Sequence, residues 1–259
     1  MGFAAEQLLS LDAKVGRNGA TQLAEDGFVI LRQVFPRELL GDLADGMAGV
    51  LLRQGPHEAD ELDGLLAERE AADHSLVYQA AVSQGSAAAT YRLLGSSPIF
   101  EHCAQAMRCR LADVHVQPLY LLTQMPKDQR FDYTWHQDAP FHAWSKELAS
   151  LWFPVTHRSS AETGTMTILP GTHKQGARQA ETYLRDGGFR QIEVVPGKDE
   201  LARAIVLELD PGDCILFSGH LLHKSMPNRS DSPRVTGVMR VFDQAKQDGY
   251  VRDHYYWAK

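Results

Sequence analysis

The residues best equipped for chemistry are Trp135-His136-Gln137-Asp138 and, far along the chain, His223 within Leu221-Leu222-His223-Lys224-Ser225. Side chains alternate with period two on an extended strand, so His136 and Asp138 are expected to project to one face. With His223 they make two imidazoles and one carboxylate on one side of a metal. This is the facial set that holds non-heme Fe(II) and leaves the opposite positions open. An octahedral ion bound this way keeps three places, and those open positions are where the chemistry is expected. A His and an Asp two apart are a weak motif on their own. The second half strengthens it. Pro211-Gly212-Asp213 is a turn suited to launching the strand Cys214–Phe217, and His223 lies just beyond that strand. Arg234 follows His223 by eleven residues, across a connection rich in Pro, Asn, Ser and Asp. A hairpin there is expected to return Arg234 alongside the metal-bearing strand, one small molecule from the metal.

His220 competes for the third ligand position, but its odd separation from His223 puts the two on opposite faces of a strand, so His223 is preferred. Ser225 shares the parity of His223 and is placed to offer a hydroxyl to the same pocket. His142 and Trp144, in the connection from Ala139 to Leu148, are candidates for a pocket wall or lid. His157 and His173 read as surface or hydrogen-bonding histidines. The aromatic stretch Asp253-His254-Tyr255-Tyr256-Trp257 reads equally as a lid or as a tail packed on the core.

These groups need a rigid frame, and the chain changes character along its length. Residues 1–110 read as mostly helical. A short helix closes at Asp26-Gly27, the run Phe28-Val29-Ile30-Leu31 is a strand, and Pro36 opens a helix carrying Leu39, Leu40, Leu43, Met47 and Val50 at helical spacing. Further helices are expected at Ala59–Glu70, Ser75–Leu94 and Ile99–Arg108, bracing a β core without needing to touch the chemistry. Residues 111–245 read as short strands between turns: Val114–Thr123, Tyr133–Asp138, Ser150–Thr156, Thr165–Leu169, Gln191–Val195, Ala204–Leu209, Cys214–Phe217 and Arg234–Phe242. The expected fold is mainly β with flanking helices, a double-stranded β-helix or jelly roll over a pocket, in a single domain spanning 1–259.

The chain has 259 residues, 44% hydrophobic and 23% charged, which suits one substantial core and excludes disordered or fibrous classes. Its net charge of −7, without basic runs, argues against nucleic acid. No apolar run has membrane-spanning length and the opening residues lack a signal-like pattern, so a cytoplasmic protein is expected. Cys103, Cys109 and Cys214 have no metal-binding spacing and read as small buried residues. A small-molecule substrate is the expected partner, and monomer and homodimer both stay open.

The residues resemble the phytanoyl-CoA dioxygenase family of Fe(II)- and 2-oxoglutarate-dependent oxygenases. The likeness covers most of the chain: Asp26-Gly27-Phe28-Val29-Ile30-Leu31, the His136-Gln137-Asp138 segment, Glu162-Thr163-Gly164-Thr165 through Pro170-Gly171-Thr172-His173-Lys174, Gly212-Asp213, and His223-x-Ser225-x-x-Asn228-x-Ser230-x-x-x-Arg234. The resemblance implies that His136, Asp138 and His223 hold iron, that Arg234 pairs with the far carboxylate of 2-oxoglutarate, and that Ser225 hydrogen-bonds to it. A planar guanidinium suits that carboxylate because it offers two parallel charge-assisted bonds. Gln117 and Thr123, sharing parity on the preceding strand, and Phe153, where the family often carries a pocket aromatic, are further cosubstrate candidates. The Pro170-Gly171-Thr172 turn and Asn228 are expected to shape backbone. The implied reaction is oxidative decarboxylation of 2-oxoglutarate by O2 coupled to hydrogen abstraction from a substrate, ending in hydroxylation. Desaturation, cyclisation or epimerisation would share that first step, and a non-oxygenase metal protein on the same fold is the rival reading. Leu121-Leu122-Thr123-Gln124-Met125-Pro126 lacks the basic residue the family often places there. Asp138 is retained where halogenating relatives carry a small residue, which disfavours halogenation.

Overall fold

The computed structural model describes residues 19–128, 132–142, 147–184 and 190–247. Helix α1 (Gly19–Asp26) leads into β1 (Phe28–Leu31), and α2 (Arg37–Leu52) begins directly after Pro36. Proline suits that start because its fixed φ is helical-compatible and its missing N–H would have been unpaired. Leu39, Leu40, Leu43, Met47 and Leu51 give α2 one buried stripe. Asp73 then serves two helices. It ends α3 (Leu62–Ala72) in an extended conformation and caps α4 (His74–Ser83) by accepting the Ser75 N–H at 2.8 Å.

The stretch expected as one helix from Ser75 to Leu94 is two, α4 and α5 (Ala88–Gly95), parted by a 3-10 turn at Gln84–Ser86. Gly85 gives the reason, since a Cβ there would lie 2.4 Å from the backbone oxygen of Leu119. The helical layer touches the β layer backbone to backbone at that point, and a continuous helix would not bring a glycine there. Helix α6 (Ile99–Met107) ends at Arg108 in the left-handed conformation.

The β elements are β2 (Val114–Val116), β3 (Tyr120–Gln124), β4 (Leu148–Pro154), β5 (Met166–Ile168), β6 (Glu181–Leu184), β7 (Arg190–Glu193), β8 (Ile205–Val206), β9 (Cys214–Ser218), β10 (His223–Ser225) and β11 (Arg234–Asp243). One antiparallel sheet runs β1-β9-β4-β11-β2, with β3 also pairing β11, and a smaller sheet runs β10-β5-β8. A ribbon of β6 and β7 stands apart. This is the mainly β jelly-roll core with flanking helices that the sequence implies. Val114–Thr123 is not one strand, however. Pro118 cannot donate to a ladder, so β2 and β3 pair separate halves of β11 on either side of it. The hairpin expected between His223 and Arg234 is also absent, because β10 pairs β5 in the small sheet while β11 pairs β3 and β4 in the large one. Arg234 therefore reaches the site from the sheet opposite His223.

The large sheet is buried on both faces, and period-two alternation divides its side chains between two cores. Cys214 and Leu216 of β9, Ala149, Leu151 and Phe153 of β4, and Val235, Met239 and Val241 of β11 face the helices. Ile215, Phe217, Trp152 and Val238 face the small sheet, where Met166, Ile168, Leu207 and Leu209 meet them. Gly237 is required at its place, since a Cβ there would sit 2.3 Å from Cζ of Phe153. Burial drives the Cys103 thiol up to about 12 and raises that of Cys214 well above its ordinary value, as suits small core residues. No helix among the described residues is long and apolar enough to cross a membrane.

Candidate metal and cosubstrate site

The two histidines meet through the backbone. His136 and His223 form an isolated antiparallel bridge, exchanging His136 N–H to His223 O at 3.0 Å and His223 N–H to His136 O at 3.1 Å. Residues directly opposite in such a pair point to the same face, and their ring centroids are 4.1 Å apart. Tyr133–Asp138 is thus not a strand of a ladder, but one bridge suffices to aim His136. Asp138 follows at a bend, with Oδ1 at 4.0 Å from His136 Nε2 and 3.8 Å from His223 Nε2. One ligand atom from each residue lies within 4.8 Å of the others, and all three residues are buried.

The surroundings leave these atoms ready to ligate. His136 Nδ1 donates to Thr134 O at 2.7 Å and His223 Nδ1 to Leu221 O at 2.9 Å, which turns both Nε2 lone pairs inward. Burial pushes the His136 imidazolium down to about 3, helped by His223, and burial also lowers His223, so both rings are neutral ligands. Burial alone would raise the Asp138 carboxyl, but Arg240, His223 and His136 hold it well below the usual carboxylate range. Asp138 Oδ2 accepts from Ser150 Oγ at 2.6 Å, and Oδ1 accepts from Arg240 Nη2 at 3.1 Å. Two neutral imidazoles and one ionised carboxylate, each oriented by a second bond, fit Fe(II).

Across the same cavity, of about 880 Å³, lies Arg234 at the start of β11. It is 6% exposed, with its guanidinium 5.4 Å from the Trp152 ring centroid. Nη2 donates to Gln124 Oε1, Nη1 donates to Ser159 Oγ at 3.5 Å, and Nε is buried without a partner. Burial lowers its pKa to about 10, against a smaller opposing pull from Asp132, so it stays cationic at neutral pH. A buried cation whose hydrogen-bond partners among the described residues are neutral, with an N–H left over, is a receptor for an anion.

The profile of the phytanoyl-CoA dioxygenase (PhyH) family matches residues 23–236. The chain belongs to the phytanoyl-CoA dioxygenase family. It is accordingly an iron- and 2-oxoglutarate-dependent oxygenase, with O2 as co-reactant. A curated relative, the 1-deoxypentalenic acid 11-beta-hydroxylase of Streptomyces arenae, is 28% identical over 224 residues, covering 81% of this chain and 74% of that one. Two solved structures share the fold. The non-heme monooxygenase ThoJ has a TM-score of 0.63 at 20% identity, covering 87% of this chain and 77% of that chain. EvdO2 from Micromonospora carbonacea var. aurantiaca, complexed with 2-oxoglutarate, has a TM-score of 0.61 at 16% identity, covering 91% and 92%.

Within this family member the remaining sequence candidates fall into separate places. Ser225 borders the cavity, and its N–H donates to Tyr133 O at 2.9 Å. His142 is buried against the cavity, with burial and then Arg240 lowering its pKa to about 4. Thr123 borders the cavity but is in register with Val235, whose side chain belongs to the helix-facing core. Gln117 does not share a strand with it: it sits in the break before Pro118, donates its N–H to Arg240 O at 3.0 Å, and is not among the residues bordering the cavity. Phe153 is corrected outright in position. It faces the helices with its ring 4.5 Å from that of Phe35, and its neighbour Trp152 occupies the cavity side. Trp144 and Asp253–Trp257 lie outside the described residues. His220 stays out of the ligand cluster, with its carbonyl accepting from Gln137 at 2.7 Å. His157 pairs with Asp63 at 2.9 Å, and His173 hydrogen-bonds Ala24 O at 3.2 Å. Asn228 ties its turn by donating to Gln124 O at 3.1 Å and Ser232 O at 2.8 Å.

Ser150 and Trp152 were not among the expected site residues, nor were several others. Arg240 shares the cavity face of β11 with Arg234, an even spacing that was legible. Gln124, opposite Arg234 in the β3–β11 register, links it to Asp132 by donating Nε2 to Oδ1 at 2.6 Å. The N-cap and N-terminal half of α4 supply Asp73, His74, Ser75 and Tyr78 to the cavity wall. The helical region therefore does more than brace the core.

Proposed function

We propose that this oxygenase hydroxylates an unactivated C–H bond of a small molecule, with one O2 and one 2-oxoglutarate consumed and succinate and CO2 released. One observation carries the reading: the His136, Asp138 and His223 cluster and the anion-seeking Arg234 open onto one cavity from opposite sheets. The hydroxylase relative supports the same outcome. Iron held by the three ligands supplies the oxidation of a C–H bond by O2 at the expense of 2-oxoglutarate. The chain's own residues do the rest. Arg234 takes the far carboxylate of 2-oxoglutarate in a bidentate grip, and Gln124 and the Trp152 face fix the plane of its guanidinium. Ser225 offers a hydroxyl to the same carboxylate. Ser150 and Arg240 keep Asp138 ionised and oriented. Phe217, Met166 and Val238 make the inner wall apolar, which excludes water from the reacting C–H bond.

The test is an anaerobic titration of the Fe(II)-loaded protein with 2-oxoglutarate, following the weak visible charge-transfer band of the chelate. The band should form in the native protein and vanish in His223→Ala. Its absence in native protein with Fe(II) shown to be bound would sink the proposal. A product carrying one added oxygen atom separates hydroxylation from desaturation, ring closure and epimerisation.

A further inference from the structure

Resting on that oxygenase reading, we infer that the substrate is a free, largely apolar small molecule and not a coenzyme A thioester. Its hydrocarbon body is held by a collar of Tyr78, Leu122, Tyr133 and Phe141. These side chains are 61%, 43%, 37% and 42% exposed. They come from α4, β3, the segment before His136 and the turn after Asp138, yet all four border the one cavity. Large exposed apolar side chains scattered singly mean little, whereas a cluster around a cavity marks a ligand surface. The collar also adjoins the metal ligands, because the rings of Tyr133 and Phe141 lie 5.3 and 6.5 Å from that of His136. A hydrocarbon seated on it is delivered directly to the reacting centre. The volume of about 880 Å³ is within the roughly 300–1,000 Å³ that houses a drug-sized ligand.

The charges around the mouth argue against the thioester that the family name suggests. Coenzyme A carries several phosphates and calls for clustered Lys or Arg or an open helix N-terminus. Here the N-terminus of α4 is occupied by its own Asp73 carboxylate, which accepts from Ser75 N. The adjacent His74 is engaged by Glu70 at 2.7 Å. Arg240 is committed to Asp138, and Arg234 lies on the inner cosubstrate side. Lys224 places its Nζ over the Trp135 ring, 5.0 Å from the centroid. Among the described residues, a phosphate chain at this mouth would meet a carboxylate and no cluster of cations.

The test uses two probes with the same hydrocarbon, decanoate and decanoyl-coenzyme A, each titrated calorimetrically into the anaerobic Fe(II)- and 2-oxoglutarate-loaded protein. Decanoate should bind, and decanoyl-coenzyme A should bind at least roughly tenfold more weakly. Tyr78→Ser/Phe141→Ser should weaken decanoate binding by roughly tenfold or more, from lost apolar contact, while the 2-oxoglutarate band titrates unchanged. Both side chains are exposed, so the double variant keeps its fold. Equal or tighter binding of the thioester, or an unaltered decanoate affinity in the variant, would overturn the inference. Decanoate binding without a chelate band would count against the oxygenase reading alone, and a normal band without decanoate binding would count against the collar alone.

Discussion

Replacing Arg234 with Met should separate two quantities that usually move together. The side chain is 6% exposed, with Gln124 Oε1 and Ser159 Oγ as neutral partners and a buried Nε without one. In the ligand-free protein the guanidinium is a desolvated charge with weak compensation, and its lowered pKa of about 10 reports that cost. Methionine keeps much of the volume and removes the charge. The losses are the Gln124 bond and the Trp152 contact, about 1 kcal/mol each, and the gain is relief of a desolvated cation of similar size or larger. Thermal stability should therefore stay within about 1 kcal/mol of the parent or rise. The 2-oxoglutarate complex behaves oppositely. Two charge-assisted bonds at roughly 1.5–3 kcal/mol each disappear, and with discounting for the open cavity the loss is about 3 kcal/mol, or roughly a hundredfold in dissociation constant. The assay pairs differential scanning calorimetry with the anaerobic chelate-band titration, and with a separate Fe(II) titration that should be unchanged. A 2-oxoglutarate dissociation constant within about threefold of the parent would refute the reasoning, whatever the melting temperature.

Other substitutions test other joints of the site. Ser150→Ala removes the 2.6 Å bond to Asp138 Oδ2 and should weaken Fe(II) binding roughly 10–100-fold, measured by competition with a chelating dye. Gln137→Leu removes donations to Gly176 O at 2.9 Å and His220 O at 2.7 Å and the acceptor for Arg178 N at 2.9 Å. It should cost about 3 kcal/mol of stability in urea unfolding and loosen iron binding, whereas Gln137→Leu as stable as the parent would deny it that role. Gly237→Ala should cost about 3 kcal/mol by forcing a Cβ against the Phe153 ring, and Phe153→Leu introduced beside it should recover part of that loss, so strictly additive costs would exclude this contact as the cause. Glu200 is held down to about 2 chiefly by Arg178, from an ordinary value of 4.5. Its contribution is present above pH 4.5 and fades as pH falls toward 2, so the lower melting temperature of Arg178→Met at pH 7 should converge on the parent below pH 4.5. A gap of constant size across that range would contradict the assignment.

The metal ligands were legible because their signal is local in type and spacing: His136 and Asp138 are two apart, and His223 follows a turn and strand that can be read directly. The mainly β architecture was legible from the turn-punctuated strands after residue 111. Phe153 was misplaced because β4 is buried on both faces. In Leu148-Ala149-Ser150-Leu151-Trp152-Phe153-Pro154 an apolar residue is acceptable on either side, so period two tells which residues share a face but not which face meets the cavity. The neighbouring Ser150 is the one polar exception, and it was the available clue, since its parity is that of Trp152. Gln117 was misplaced by treating Val114–Thr123 as unbroken across Pro118. The role of α4 was illegible for another reason. An amphipathic pattern reports which side of a helix is buried, whereas the α4 stripe His74, Tyr78 and Ala81 that borders the cavity mixes polar and apolar residues and Tyr78 is exposed, so it reads as an ordinary solvent face.

The site's assembly also explains why one hairpin could not have built it. His223 and, through its backbone bridge, His136 belong to the edge of the small sheet. Arg234, Arg240 and Ser150 stand on the large sheet, on the face period two leaves toward the cavity. Asp138 is the joint between them, bound by Ser150 and Arg240 from one sheet while its Oδ1 faces the two histidines of the other. Gln137, fully buried between these ligands, pins their segment to the loops carrying Gly176 and His220, just ahead of His223. Iron affinity thus depends on the small-sheet cradle and its joint, while cosubstrate affinity depends on how closely the large sheet lies over it. The packing of Trp152, Ile215 and Phe217 against Met166 and Ile168 is what sets that distance. A cavity cut at Trp152 or Ile215, unlike one cut behind the large sheet among the helices, should weaken 2-oxoglutarate binding before it weakens the metal, whereas one at Phe217, whose ring lies 4.8 Å from that of His223, should weaken both.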